Sequence, residues 1–324
     1  MKNLEESRVK KFIEEMADVS CEYRNKHRKH TMLEYRFKVI KEILNLPSVS
    51  AIDKILTVLP SRITNKFLNE KKRNAKVRRL KKAYSSYFEK IISIEELENI
   101  KNILKEYKFK LPSYSPADIL TTLSLTEQIL VSDQYNAKEF IRSKDVVIDA
   151  GANVGIFSIL ASLLTRNKIY AFEPDPKIFK CLEHNISALG IRNVICINKG
   201  LGEQIKNKKI NRAILNYAIS AVEDSDMSVG SVAGFANIEI IPLDKFVKDE
   251  KIHKVNFIKI DVEGYELKVI DGAKQTIRKF KPVISVSAYH QKDHVRLIPK
   301  QILKIREDYK YVLEKRDEPD YIFY

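Results

Sequence analysis

The chain has 324 residues, 44% hydrophobic and 31% charged, which excludes a disordered chain and leaves room for one large domain or two ordinary ones. No apolar run reaches the length of a membrane span, and the N-terminus, MKNLEESRVK, lacks the apolar core of a signal peptide, so the expected location is cytoplasmic. Of the net charge of +15, residues 1–110 carry +12, with 27 Lys/Arg against 15 Asp/Glu, so the basic surplus belongs to the N-terminal third.

That third reads as helical throughout. Val9, Phe12, Ile13, Met16 and Val19 recur at helical spacing. Thr31 with Glu34, and Ser93 with Glu96, form capping-box signatures; the first precedes MLEYRFKVIKEIL and the second a helix to about Tyr107. Val77, Leu80, Tyr84, Tyr87, Phe88 and Ile91 make a further apolar stripe, read as a helix–helix contact. Pro47, Pro60 and Pro112 punctuate the region, and Ser115-Pro116 starts a short helix with proline at its first position. The expected division is a basic, all-α N-terminal region over 1–112 and a second domain over 113–324.

From Asp145 the pattern becomes strands alternating with helices. Strands are expected at Val146–Ala150, Ile169–Glu173, Val194–Asn198, Phe257–Asp261 and Val283–Ala288. Helices are expected at Ile156–Leu164, Pro176–Leu189 and Tyr265–Phe280. The fold class is therefore α/β and Rossmann-like, a parallel sheet closed by an antiparallel strand from a C-terminal hairpin (YKYVLEK and YIFY). The stretch Leu201–Val255 is read as an insertion over the site's mouth, with a strand pair at Ile214–Ile219 and Ile238–Ile241.

Ligands of such a sheet bind at the carboxyl ends of its strands. The first strand ends in Asp149 and a glycine turn running Gly151, Ala152, Asn153 and Gly155 before an apolar helix. Its bare backbone suits a cofactor held at a helix N-terminus. The second strand ends in Glu173, where a carboxylate can accept from both hydroxyls of a ribose. The third ends in Asn198-Lys199-Gly200, the fourth in Asp261 with Glu263 and Gly264 beyond, the fifth at Tyr289-His290. A dinucleotide calls for G-x-G-x-x-G, which this turn does not meet, and Asp149 is awkward beside a pyrophosphate. The residues favour S-adenosylmethionine.

Val146–Gly155, Phe172–Pro176, Ile241–Phe246 (IPLDKF), Ile258–Glu266 and Pro282–His290, in that order, resemble the FkbM-type S-adenosylmethionine-dependent methyltransferases, class I in fold. The resemblance covers roughly Asp145 to Pro299 and extends more weakly to the hairpin. It implies methylation of hydroxyls on sugars or other small metabolites. By it, Glu173 binds the ribose, Asp149, Gly151, Asn153 and Gly155 the methionine end, and Asp261 lies beside the transferring methyl. Ala152, Asn198 and Gly200 complete the expected cofactor contacts.

A sugar hydroxyl is a poor nucleophile while protonated, so a base beside it helps. Asp261 and His290 are the candidate bases, with Glu263 as a third. Glu263 as a cap of the next helix, and His290 as a solvated loop side chain, are the structural alternatives. Clustered carboxylates at Asp261, Glu263 and Glu266 could take a divalent cation, but no metal ligand is assigned. Cys181, His184 and Cys196 are read as packing rather than a zinc site. The scattered thiols, with Cys21, form no disulfide framework.

The cluster Lys71–Lys82 has eight Lys/Arg in twelve residues and invites an anionic partner, a glycan, a membrane surface or a nucleic acid. An RNA methyltransferase with a basic docking arm is the first alternative function. Nucleic acid is disfavoured, because the fourth strand lacks the D/N-P-P-Y/F sequence of many base methyltransferases and the chain has no tryptophan. A non-catalytic partner protein with a methyltransferase fold is the second, opposed by the intact glycine turn, Glu173 and Asp261.

Overall fold

The structure is a computed structural model and describes residues 2–27, 94–113, 115–213, 220–222, 232–314 and 318–324. The helix expected after Thr31, the stripe Val77–Ile91, the cluster Lys71–Lys82 and the strand Ile214–Ile219 lie outside the described residues. Among the described residues, no helix is long and apolar enough to cross a membrane.

The N-terminal helices are α1 (Lys2–His27), α2 (Ile94–Glu106) and α3 (Pro116–Thr126), the last continued by a π-helical turn, Glu127–Val131. Ser115 caps α3 by accepting from Asp118 N, with Pro116 in the first turn. A single turn, α4 (Ala137–Phe140), leads to β1 (Val147–Ala150), α5 (Ile156–Leu164), β2 (Ile169–Phe172), α6 (Pro176–Ala188) and β3 (Val194–Ile197). The insertion holds β4 (Gly200–Leu201), β5 (Lys206–Ala213), β6 (Ser220–Val222) and β7 (Val232–Ile241). Then come α7 (Leu243–Asp249), β8 (Phe257–Ile260), α8 (Glu266–Gly272), α9 (Lys274–Phe280), β9 (Val283–Ser287) and α10 (His294–Ile305), before the hairpin β10 (Tyr311–Glu314) and β11 (Asp320–Phe323).

The main sheet has seven strands in the order β10-β11-β9-β8-β1-β2-β3. Strands β3, β2, β1, β8 and β9 run parallel, and β11 pairs antiparallel with β9, so the expected Rossmann-like sheet with a closing hairpin is borne out. Alternate side chains serve two cores. Val147 and Phe257 pack with α5, α6 and residues of α1 and α2, including Phe12, Met16 and Leu104. Ile148, Ala150, Ile258 and Ile260 pack with α7–α10. The N-terminal helices thus share one apolar cluster with the sheet.

One reading is corrected. The helix expected over Tyr265–Phe280 is two helices, because Ala273 leaves helical geometry (φ −112°) where Gly272 packs so closely on Gly202 that an added Cβ would lie 1.9 Å from its carbonyl oxygen. In the insertion, β5 at 206–213 is paired along its length with β7. Asp244 of α7 accepts from Gln275 N and Thr276 N at 2.8 and 2.7 Å and so caps α9.

Helix α10 was not anticipated because Pro299 sits inside it. Proline has no N–H for the carbonyl four residues back, that of Val295. The Tyr321 hydroxyl supplies the missing donor, reaching Val295 O at 2.8 Å from β11. Tyr321→Phe is therefore expected to lower stability by about 1–3 kcal/mol, read by chemical denaturation, since it strands a carbonyl rather than merely deleting a surface contact. An unchanged midpoint would show that water serves that carbonyl equally well.

Candidate active site

The glycine turn is built by close approach as much as by ligand access. Gly151 has φ +82°, and a Cβ there would sit 1.8 Å from the carbonyl oxygen of Asp261. The ends of β1 and β8 therefore touch only because residue 151 lacks a side chain. Gly151 N and Ala152 N both donate to Phe172 O, at 3.0 and 2.9 Å, which ties the turn to β2. Asn153 is left-handed (φ +54°) and Gly155, at φ +101°, caps α5.

Glu173 follows β2 as expected and is folded back beneath this turn. Its Oε2 accepts from Asn153 N at 3.0 Å and its Oε1 from Asp175 N at 2.9 Å. Burial pushes its carboxyl up to about 7, against the pull of those two N–H donors. Each oxygen keeps lone pairs for further donors, which is what a pair of ribose hydroxyls provides. Asn198 donates to the carbonyls of Glu173 and Pro174 at 2.9 and 3.1 Å, so it shapes this loop from behind. Gly200 lies in β4, where a Cβ would meet Ile240 and Pro174 at 3.4 and 3.5 Å. Asp175 takes a bidentate pair from Arg212 of β5, which pins the insertion sheet onto the same loop.

Asp149 is placed differently from the other turn residues. It points toward α5, is fully buried, and accepts from Ser158 at 2.7 Å. Its other oxygen lies 3.2 Å from Lys259 Nζ, directly across from it in the β1–β8 register. Lys259, itself 3% exposed, also donates to Gly151 O at 2.7 Å. Asp149 is thus paired with Lys259 beneath the turn, its Oδ1 in ion-pair range but without a hydrogen-bond donor.

The fourth- and fifth-strand ends converge. The side chain of His290 is 3% exposed, not solvated. Its Nδ1 lies 2.8 Å from Glu266 Oε1, and its Nε2 lies 3.6 Å from Asp261 Oδ1 and 3.5 Å from Glu263 Oε2. Glu263 does not cap the following helix, which has no side-chain cap; Glu266 Oε1 instead accepts from the loop groups Val262 N and Gly264 N at 3.1 and 3.2 Å. His294 flanks the other oxygen of Glu266, at 3.2 Å. Glu263 turns toward His290 from a left-handed backbone (φ +53°), a conformation costly for a non-glycine residue.

Electrostatics follow from this crowding. Burial alone would lower His290, but the carboxylates of Glu266, Glu263 and Asp261 outweigh it and raise the imidazole to about 10. Burial would raise Glu266, yet the two histidines hold it well below the usual carboxylate range. Glu263 is pushed up by burial and by its carboxylate neighbours, opposed by His290. Two carboxylate oxygens of this cluster, Asp261 Oδ1 and Glu266 Oε2, are buried with no hydrogen-bond donor, and Asp261 is the residue whose backbone abuts the glycine turn.

Asp261, Glu266 and His290 each offer a ligand atom within 4.8 Å of the other two. Glu266 Oε1 already serves three donors, one of them His290 Nδ1, so a cation held through that atom would have to displace that network, while Glu266 Oε2 has no hydrogen-bond donor. A groove of about 470 Å³ beside Ile195, Ile197 and Phe246 contains none of these residues.

The family model described as "Methyltransferase FkbM domain" matches residues 149–313, half of the chain. The chain belongs to the FkbM methyltransferase domain family. This methyltransferase is 27% identical over 179 residues to the hexuronic acid methyltransferase AglP of Haloferax volcanii, covering 53% of this chain and 71% of that one. It is 22% identical over 181 residues to Methyltransferase 1 of Beauveria bassiana, covering 49% and 70%. Among solved structures it is similar to methyltransferase FkbM of Methylobacillus flagellatus, at 18% identity and a TM-score of 0.43; the match covers 72% of this chain and 59% of that one.

Two residues of this cluster were missed by sequence reasoning, and Glu266 was read there only as one of three carboxylates that could take a cation. Lys259 carried a signal, a lone charge in the apolar strand FIKI, which implies a buried partner. Tyr135, which donates to Asp261 Oδ2 at 2.6 Å, carried none, because its partner lies 126 residues away.

Proposed function

We propose that this methyltransferase uses S-adenosylmethionine to methylate a hydroxyl of a sugar or related polyhydroxylated small molecule. The observation that carries the reading is the donor-free oxygen Asp261 Oδ1, buried at the strand end that abuts the glycine turn. A carboxylate oxygen in that state is a ready acceptor for a hydroxyl proton. The name of the Haloferax volcanii relative, a hexuronic acid methyltransferase, supports a sugar acceptor.

The residues fit the cofactor. Glu173 would take the ribose hydroxyls, and the backbone of Gly151–Gly155 the methionine end, with Asp149 and Lys259 bracing the turn. Bound S-adenosylmethionine supplies a sulfonium-activated methyl group, whose carbon–sulfur bond breaks as the acceptor's carbon–oxygen bond forms. The chain's own work is alignment and proton removal. Asp261 Oδ1 takes the hydroxyl proton, and the cationic His290 beside it steadies the charge. The ring of Asp261, Glu263 and Glu266 disfavours an anionic group at the reacting position, which selects a neutral hydroxyl.

Calorimetry with S-adenosylhomocysteine and NAD tests the donor, and transfer of labelled methyl to neutral and uronic sugars tests the acceptor. Binding of NAD instead, or methylation of RNA but no sugar, would overturn the reading. Glu173→Ala is expected to weaken S-adenosylhomocysteine about 10- to 100-fold, the worth of hydrogen bonds to a charged acceptor. Because the folded-state pKa of Glu173 is raised to about 7, wild-type affinity is expected to fall as pH drops below 7, and Glu173→Ala to lose that dependence. Equal pH profiles would remove Glu173 from the ribose site.

A further inference from the structure

We propose that Tyr135 is a positioning residue for methyl transfer, and that the segment upstream of the family domain thereby completes the active site. This rests on the proton-accepting role of Asp261 given above. The family match begins at residue 149, so nothing in it reaches Tyr135.

The geometry is specific. Tyr135 follows the π-helical turn after α3 and is 3% exposed. Its hydroxyl donates to Asp261 Oδ2 at 2.6 Å. Its ring stands edge-on to Phe157 of α5, centroids 5.5 Å apart, and Lys259 Nζ lies 5.2 Å from its centroid. These neighbours belong to β8, to its end, and to the first turn of the helix that follows the glycine turn. The same segment is anchored to the C-terminal hairpin, where Gln128 donates to Glu318 at 3.1 Å.

An aspartate's terminal torsion is broad, so an untethered carboxylate presents either oxygen over a range of angles. The phenol removes that freedom. With Oδ2 held, Oδ1 is the oxygen left for the acceptor, and it faces His290 Nε2. The phenol itself stays a donor, because burial and the charge of Asp261 push its ionisation well above the ordinary tyrosine value. Tyr135 therefore neither gives up a proton nor touches the acceptor. It acts through Asp261.

The test is a double-mutant cycle in the full chain, using the acceptor that wild type turns over. Tyr135→Phe keeps the ring and its contacts, so S-adenosylhomocysteine affinity and acceptor KM are expected near wild type, with the thermal midpoint lowered only by the loss of one hydrogen bond. Its kcat is expected to fall about 10- to 100-fold, the scale of misaligning a reacting group. In an Asp261→Asn background, the same substitution is expected to change kcat by less than about twofold. Unchanged kcat in Tyr135→Phe overturns the proposal. So does an equal loss in both backgrounds, or a fall in donor affinity and midpoint together, since either makes Tyr135 structural. Absence of methyl transfer to any hydroxyl by wild type overturns the functional reading instead, which separates the two failures.

Discussion

Asp261→Asn is expected to lower kcat for methyl transfer by about a hundred- to ten-thousand-fold, with S-adenosylhomocysteine affinity nearly unchanged. The substitution keeps shape and volume at the end of β8. It also keeps one oxygen for the Tyr135 hydroxyl, which needs an acceptor because it is buried. The amide nitrogen is then turned toward His290 Nε2, so two donors face each other where one donor and one open acceptor stood. The acceptor hydroxyl loses its proton sink, while Glu173, Asn153 and the turn backbone are untouched. A loss in donor affinity equal to the loss in kcat would place Asp261 in cofactor binding alone. Turnover near wild type would remove it from the chemistry. Glu263→Gln is the informative comparison, since Glu263 faces the same His290 nitrogen as Asp261, at 3.5 Å, and offers an alternative path for the proton.

Where periodicity and local chemistry decide the structure, the residues announced it. The runs at Val147–Ala150 and Phe257–Ile260, apolar on both faces except for one charge each, identify strands covered on both sides, and the helix Ile156–Leu164 appears with the bounds its pattern implies. The strand ends then bring Glu173, Asp261 and His290 to one edge of the sheet, as parallel topology requires. What was not legible depended on partners distant in the chain. The break at Ala273 follows from Gly272 resting on Gly202, and α10 survives Pro299 because Tyr321 reaches Val295. Asp149 and Lys259 are both charged residues in buried strands, and only the β1–β8 register reveals that they answer each other. The placement of Glu263 and Glu266 is of the same kind: neither caps the helix, and both turn to His290, which comes from the end of another strand.

That cluster carries the second large effect, on stability. In the folded chain the pKa of His290 stands at about 10, well above the ordinary 6.5 that it has when unfolded. Between those values the native state binds the extra proton, so unfolding free energy falls as pH rises through the window. The stabilisation from the imidazolium is complete below about pH 6.5 and lost by about pH 10. Glu263, also raised, tilts the curve the same way, whereas Glu266, depressed, adds stability that is lost only on acidification. His290→Asn isolates the charge, because its side-chain amide can still donate to Glu266 where Nδ1 did. At pH 6.5 this variant is expected to be about 3–5 kcal/mol less stable, the cost of leaving buried carboxylates without their cation. As pH rises toward 10 the two denaturation curves should converge, since wild type is losing what the variant never had. Taking the difference between the two proteins cancels the titrating groups that His290 does not touch and leaves His290 with the Glu263 and Glu266 carboxyls that it perturbs. Parallel curves across that range would mean that the imidazole is neutral in the fold, and would return His290 to the role of a base.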